Sequence, residues 1–246
     1  MIKNTKRVKL SDRFKKTGSS GKYDIYTYTT KAAKFDGGVA NNSNSDILIN
    51  SYLPVNNTTT ISLWFNLQAN HDGTLVSNNT MNELFIVIRK VAGKRILSVS
   101  DEHDRPIDVD LNEWHHYTFV KNGATLTTYV DGIMIHNHVS CTKNLTTAFG
   151  AKFGTKDTQN VYHLNGKIND VQIYNKALTA DEIAKVSKGA TIDGLVAHYE
   201  FNDPNDLGKD STGKHNGVNY GAVQVDGPTK TVMIDKDVEV SFFSEK

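Results

Sequence analysis

From Tyr23 to about Phe153 the apolar positions fall in short runs rich in β-branched and aromatic residues, parted by clusters of Gly, Asn and Asp. The runs are 23–28 (YDIYTY), 60–67 (TISLWFNL), 84–91 (LFIVIRKV), 95–100, 114–121, 125–130 and 133–138. Many short strands with turn signals between them predict an all-β sandwich or barrel. In YVDGIM (129–134) the Asp131-Gly132 pair tolerates the positive φ angles of a tight turn, so 125–130 and 133–138 are expected to pair antiparallel.

One segment breaks the pattern. Thr179 stands three residues before Glu182, Ile183 and Val186 form an apolar i, i+3 pair, and Gly189 follows, which predicts a short surface helix over 179–188. Strand-like runs then return at 195–201, around Thr231 to Ile234 and at 238–243, with a polar loop from Asn202 to Gly217. The tail is therefore expected to be folded. Residues 17–22 (TGSSGK) have no apolar face and read as a flexible hinge.

Composition changes this picture little. With 246 residues, 38% hydrophobic, the chain is long enough for a buried core, and a single cysteine, Cys141, leaves stability to packing rather than disulfides or a multi-cysteine zinc site. No run approaches the roughly 18 to 20 apolar residues of a membrane helix, so no membrane insertion is expected. The start lacks the apolar core of a signal peptide, so the expectation is a soluble chain, extracellular or on a virion surface. Residues 1–16 carry seven Lys/Arg and one Asp, against 21 and 26 in the remainder. This basic arm reads first as solvated, and with no basic stripe elsewhere nucleic acid is not expected as a partner.

Several segments resemble, in order, the laminin-G-like, concanavalin A-like jelly-roll family. They are AAKFDGG (32–38), TTTISLWFNL (58–67), LNEWHHYTFVKNGATLTTYVDGIMI (111–135) and LNGKINDVQIYNKALTADEI (164–183). The resemblance implies two antiparallel sheets packed face to face, one short helix and a β-rich extension. It divides the chain into an arm and hinge (1–22), a jelly roll (23–190) and an extension (191–246). Within the extension, GLVAHYEFND and KDSTGKHNGVNYGA (194–222) resemble the start of a second copy whose remainder is missing. It either adds strands to the first sandwich, the favoured reading because about 50 residues alone bury little surface, or forms a partner-dependent module. The resemblance also implies that Trp64 and Trp114 lie between the sheets.

The fold hosts lectins, adhesion modules, enzymes and virion proteins, so function must come from residues. Laminarinase-type enzymes place Glu-x-Asp-x-x-Glu on one strand face. Asp108, Asp110 and Glu113 are the nearest approach, but they read as a loop, and no catalytic residue is expected. Walker, dinucleotide, Gly-x-Ser-x-Gly and His-Glu-x-x-His motifs are absent from the sequence. His115 and His116 face opposite ways on a strand, whereas His136 and His138 share a face and make at most half a metal site.

Asp101, Glu102, His103 and Asp104 form an acidic cluster that reads as a solvated turn, with Asp101 and Asp104 kept as sugar or cation contacts. Calcium is the one cofactor candidate. Asp203, Asn205, Asp206 and Asp210 offer it hard oxygen ligands on one loop, although tight loops use the same residues for turns. Tyr52, Tyr162 and Tyr220 are the loop aromatics that can stack on a sugar. The expected function is a non-catalytic recognition module that binds carbohydrate or mediates adhesion. The alternative is a structural or decoration protein of a bacteriophage virion acting on neighbouring subunits, with a homo-oligomer among its partners. A glycan hydrolase or lyase ranks third.

Overall fold

A computed structural model describes residues 7–11, 13–37, 45–69, 72–78, 85–99, 104–139, 150–155 and 162–244. In chain order the elements are β1 (Arg7–Ser11), β2 (Lys15–Ser20), β3 (Tyr23–Asp36), β4 (Asp46–Leu48), β5 (Thr58–Leu67) and β6 (Gly73–Asn78). Next come β7 (Phe85–Val91), β8 (Lys94–Val99), β9 (Arg105–Pro106), β10 (His115–Asn122), β11 (Thr125–Val130), β12 (Ile133–His138) and β13 (Ala151–Phe153). The chain continues through β14 (Asn165–Tyr174), α1 (Ala180–Val186), β15 (Leu195–Tyr199), β16 (Val218–Tyr220), β17 (Val223–Asp235) and β18 (Glu239–Phe243). These residues form two compact units, one of 31–225 and one of 1–30 with 226–246.

The larger unit is a jelly-roll sandwich. Its first sheet runs β12-β11-β10-β5-β14. Beyond β14, residues 33–36 pair with its first half and β15 with its second. The second sheet runs β16-β4-β13-β6-β7-β8-β9. Strand alternation fills the space between them. Ile61, Leu63, Phe65 and Leu67 of β5 share one buried cluster with Ile47, Ile86, Ile88, Leu97 and Phe153 of the other sheet. Through β15 and β16, residues 195–220 contribute a strand to each sheet.

The same alternation turns Ser62 and Trp64 to the far face of the first sheet. Trp64 is half-buried there, its ring 5.2 Å from that of His116, and Trp114 is half-buried just before β10. Neither tryptophan fills the interior, which corrects the expectation; Tyr117, Phe119, Phe153 and Tyr199 do so.

The predicted hairpin and helix are both present. Asp131 (φ 50°) and Gly132 (φ 79°) join β11 to β12. In α1, Thr179 accepts from the Glu182 amide while the Glu182 carboxylate accepts from the Thr179 amide, and Ile183 and Val186 are buried. Gly189 (φ 89°) donates to Val186 O and Ala190 to Lys185 O, closing the helix with a Schellman pair of bonds.

In the smaller unit β2 pairs antiparallel with the first half of β3, and β1 pairs parallel with β18. Most of the stretch 17–22, hinge-like in composition, thus belongs to a ribbon. Its strand is exposed on both faces, so it carries no apolar period, and polar contacts hold it: Lys16 Nζ to Asp24 Oδ2 at 2.7 Å and Ser19 Oγ to Asp24 Oδ1 at 2.7 Å. Leu10, Tyr26 and Ile234 form this unit's own small core with Val8, Phe14, Val232, Val238 and Val240 against it.

Candidate functional site

On the second sheet Ile47 and Phe153 are paired neighbours that point into the core. Their flanking residues therefore face outward, which brings Asp46, Leu48 and Lys152 onto one surface. Lys152 Nζ lies 3.2 Å from Asp46 Oδ2. Tyr220 of the edge strand β16 stands directly opposite Asp46, and Val218 opposite Leu48, so their side chains share that face. Asp46 is only 3% exposed, while Tyr220 is 48% exposed.

Burial raises the Asp46 carboxyl above its ordinary value, outweighing the downward pull of Lys152 and, more weakly, of His163. Its Oδ1 has no hydrogen-bond partner among the described residues. Two strands further on, Thr74 of β6 donates its amide to Tyr162 O at 2.8 Å. Tyr162, 36% exposed and at φ 53°, thus has its backbone on the β6 side of the Asp46–Lys152 pair, as Tyr220 stands on the β16 side. The arrangement is an open aromatic ring beside a recessed acceptor and an ammonium donor. Such a ring packs against the apolar face of a pyranose while the polar pair meets its hydroxyls.

The other candidates lie elsewhere. Tyr52, 65% exposed, follows the opposite end of β4, next to Ser51, whose Oγ is 3.0 Å from His215 Nδ1. Asp104 is exposed just before β9, the far edge of the same sheet. Six strand spacings separate β9 from β16, roughly 29 Å. Asp101 and Cys141 lie outside the described residues. Asp108, Asp110 and Glu113 are exposed on the irregular stretch between β9 and β10.

The loop proposed for calcium is organised by its own bonds. Asp203 Oδ1 accepts from the Asn205 amide at 3.0 Å and Asp203 Oδ2 lies 3.6 Å from Lys209 Nζ, while Asp206 is exposed. Asp210 is buried, and its carboxylate accepts from the amides of His198, Thr212, Lys214 and His215 and from the Thr212 hydroxyl. Burial alone would push its carboxyl up, but these bonds together hold it below the ordinary range. Among the described residues no group of three His, Cys, Asp or Glu side chains is placed to hold a metal ion. His136 and His138 do share a face, with rings 5.9 Å apart, and Arg105 Nε donates to His136 Nδ1 at 3.0 Å.

Sequence reading passed over two groups. Asp46 and Lys152 sit on three-residue strands too short to show a period. Arg89, Lys90, Lys94 and Arg95 gather at the β7–β8 hairpin, a basic cluster hidden in a segment read only as strand. Beside it a cavity of about 430 Å³ is lined by Gly93, Lys94, Arg95, Pro106, Ile107 and Asp108.

The family model for the concanavalin A-like lectin/glucanases superfamily matches residues 36–184, more than half of the chain. No curated protein is similar enough in sequence to count as a match. Among solved structures, a protein of Bacteroides ovatus provisionally described as carbohydrate-binding superposes with a TM-score of 0.64 at 18% identity, over 80% of this chain and 60% of that one. This chain therefore spans less than two thirds of that protein's length. A heptameric pentraxin of Limulus polyphemus gives 0.61 at 14% identity, over 80% and 95% of the two chains. Domain 4 of an extracellular arabinanase of Geobacillus stearothermophilus, solved with arabinotriose, gives 0.50 at 16% identity, over 70% and 86%. At these identities the likeness is one of fold.

Proposed function

The chain belongs to the concanavalin A-like lectin/glucanases superfamily, and from that premise we propose that it is a non-catalytic carbohydrate-binding module. The observation that carries the reading is the exposed Tyr220 ring opposite the buried Asp46–Lys152 pair on the outer face of the second sheet. Tyr220 supplies the stacking surface, Lys152 a donor and Asp46 an acceptor, with Tyr162 as a second aromatic on the β6 side. The description of the Bacteroides ovatus protein and the arabinotriose bound to the arabinanase domain agree with this reading. It asks nothing of calcium at 203–210, because the Asp210 carboxylate is already engaged.

The test is a glycan array on the full chain, with calcium and with chelator, repeated for Tyr220→Ala. Binding to one class of neutral sugar that Tyr220→Ala abolishes without lowering the melting temperature supports the site. Binding that survives Tyr220→Ala overturns it.

A second reading, assembly through protein contacts, draws on the smaller unit, where Met233, Phe242 and Phe243 are exposed beside the small core of Leu10, Tyr26 and Ile234. Under it the chain is a structural subunit, on a virion or another surface, and its molar mass in solution exceeds that of one chain. Sugar binding by a strict monomer decides for the first reading.

A further inference from the structure

The β7–β8 hairpin sets like charges against each other. Lys90 stands directly opposite Arg95, and the two-residue turn Ala92 (φ 49°) and Gly93 (φ 80°) brings Lys94 to the same tip. Like charges opposed across a strand pair destabilise it. Lys90 and Lys94 are exposed, while Arg95 is half-buried and donates to Val109 O. Among the described residues, Asp108 lines the adjoining cavity, and Asp72 Oδ1 accepts from the Lys90 amide at 2.7 Å.

The cavity's size, about 430 Å³, falls within the range of small-ligand sites. Among the described residues its lining combines the apolar surfaces of Pro106 and Ile107, the cations Lys94 and Arg95, and the carboxylate Asp108. Arg95 is held in place by donating to Val109 O, and Ile107 by donating its amide to Arg95 O at 3.0 Å. We propose that this cleft is a second saccharide subsite, selective for a sugar that carries a carboxylate. Pro106 and Ile107 take the apolar face of the ring, Lys94 and Arg95 the carboxylate, and Asp108 accepts from ring hydroxyls. A phosphate dianion would meet Asp108 at close range, whereas a hydroxyl-rich monoanion is matched on both sides. The bound anion also relieves the Lys90–Arg95 repulsion.

The proposal rests on the carbohydrate-binding reading but uses residues at the opposite edge of the sheet from Tyr220, so the two fail separately. The probes are trigalacturonate and a glucuronate disaccharide, each beside its own methyl ester, titrated into the full chain at low and high salt. The acids are expected to bind about tenfold or more tightly than the esters, a preference that salt weakens. The double variant Lys90→Gln, Lys94→Gln, with Arg95 kept because it braces Val109, is expected to cut the preference severalfold, since Arg95 remains as one of the two cations that meet the carboxylate. Tyr220→Ala is expected to leave it intact. Equal affinity for acid and ester, no binding of either acid, or a preference undiminished in the double variant overturns the proposal. Loss of the preference in Tyr220→Ala overturns it too, by placing the anion at the other site.

Discussion

Asp131 grips His116 from across the β10–β11 pair: its Oδ1 accepts from the His116 amide at 2.7 Å, and its own amide donates to His116 O at 2.8 Å. Its Oδ2 lies 2.7 Å from His115 Nδ1. The tight turn and the start of β10 are thus one device, and Asp131 serves both while holding φ 50°.

Replacing Asp131 with Ala removes those acceptors and places a poorly suited residue at positive φ. A loss of about 2 kcal/mol is expected, read from denaturant unfolding. Asp131→Asn keeps an acceptor and tolerates the turn, so it should lose less than half as much. Equal losses in the two variants would contradict the assignment.

Asp210 is the hub of the 210–215 turn and ties it to β15 through the His198 amide. Asp210→Ala strands several donors in a buried place, at a cost of about 3 kcal/mol and a melting temperature lower by several degrees. A variant melting within a degree of the parent would show that the turn holds without it.

The helix cap titrates. A hydrogen bond from Lys176, reinforced by the Thr179 amide, holds the Glu182 carboxyl down from the ordinary 4.5 to about 2. A carboxyl depressed on folding adds stability that is present above its unfolded value and is lost as pH falls through the folded one. Acid unfolding of the parent should steepen between about pH 4.5 and 2, and Glu182→Gln should flatten that window by lowering stability at neutral pH while changing it little at pH 2. An unchanged acid profile in the variant would refute the cap's role.

Tyr117 is fully buried, its phenol pushed well above its ordinary value by burial, and its hydroxyl has no partner among the described residues. An unbonded hydroxyl in a core is a cost. Tyr117→Phe should therefore be neutral or more stable by up to about 1 kcal/mol. A clear destabilisation would mean the hydroxyl is bonded in solution.

These sites differ in how far sequence reveals them. The capping box of Thr179 and Glu182 and the Asp131-Gly132 turn are local, so spacing alone places them. The same local reading assigns β5 but not its facing, because Leu63 and Trp64 are both apolar and only the partner sheet decides which is inside. At Asp170 (φ 54°) a bulge in β14 lets the carboxylate accept from Gln172 and from His198 at 2.7 Å, and nothing in the surrounding pattern marks it. Asp46 and Lys152 meet only through pairing of short strands more than a hundred residues apart. Tyr220 reads in the sequence as a loop aromatic, whereas it lies on the edge strand β16 opposite Asp46, a pairing that no local pattern announces.

The parallel partnership of β1 with β18 joins residues 7–11 to 239–243 across nearly the whole sequence. Closing so long a loop is slow in folding terms, because the entropy of the intervening chain must be overcome before the contact rewards it. On a ribosome, residues 31–225 emerge in full before β18 exists, so the sandwich can mature while β1 still waits for its neighbour. A premature stop ahead of Glu239 would release a chain whose sandwich is complete but whose β1 has lost its partner strand, a product that quality control would meet as an exposed strand edge.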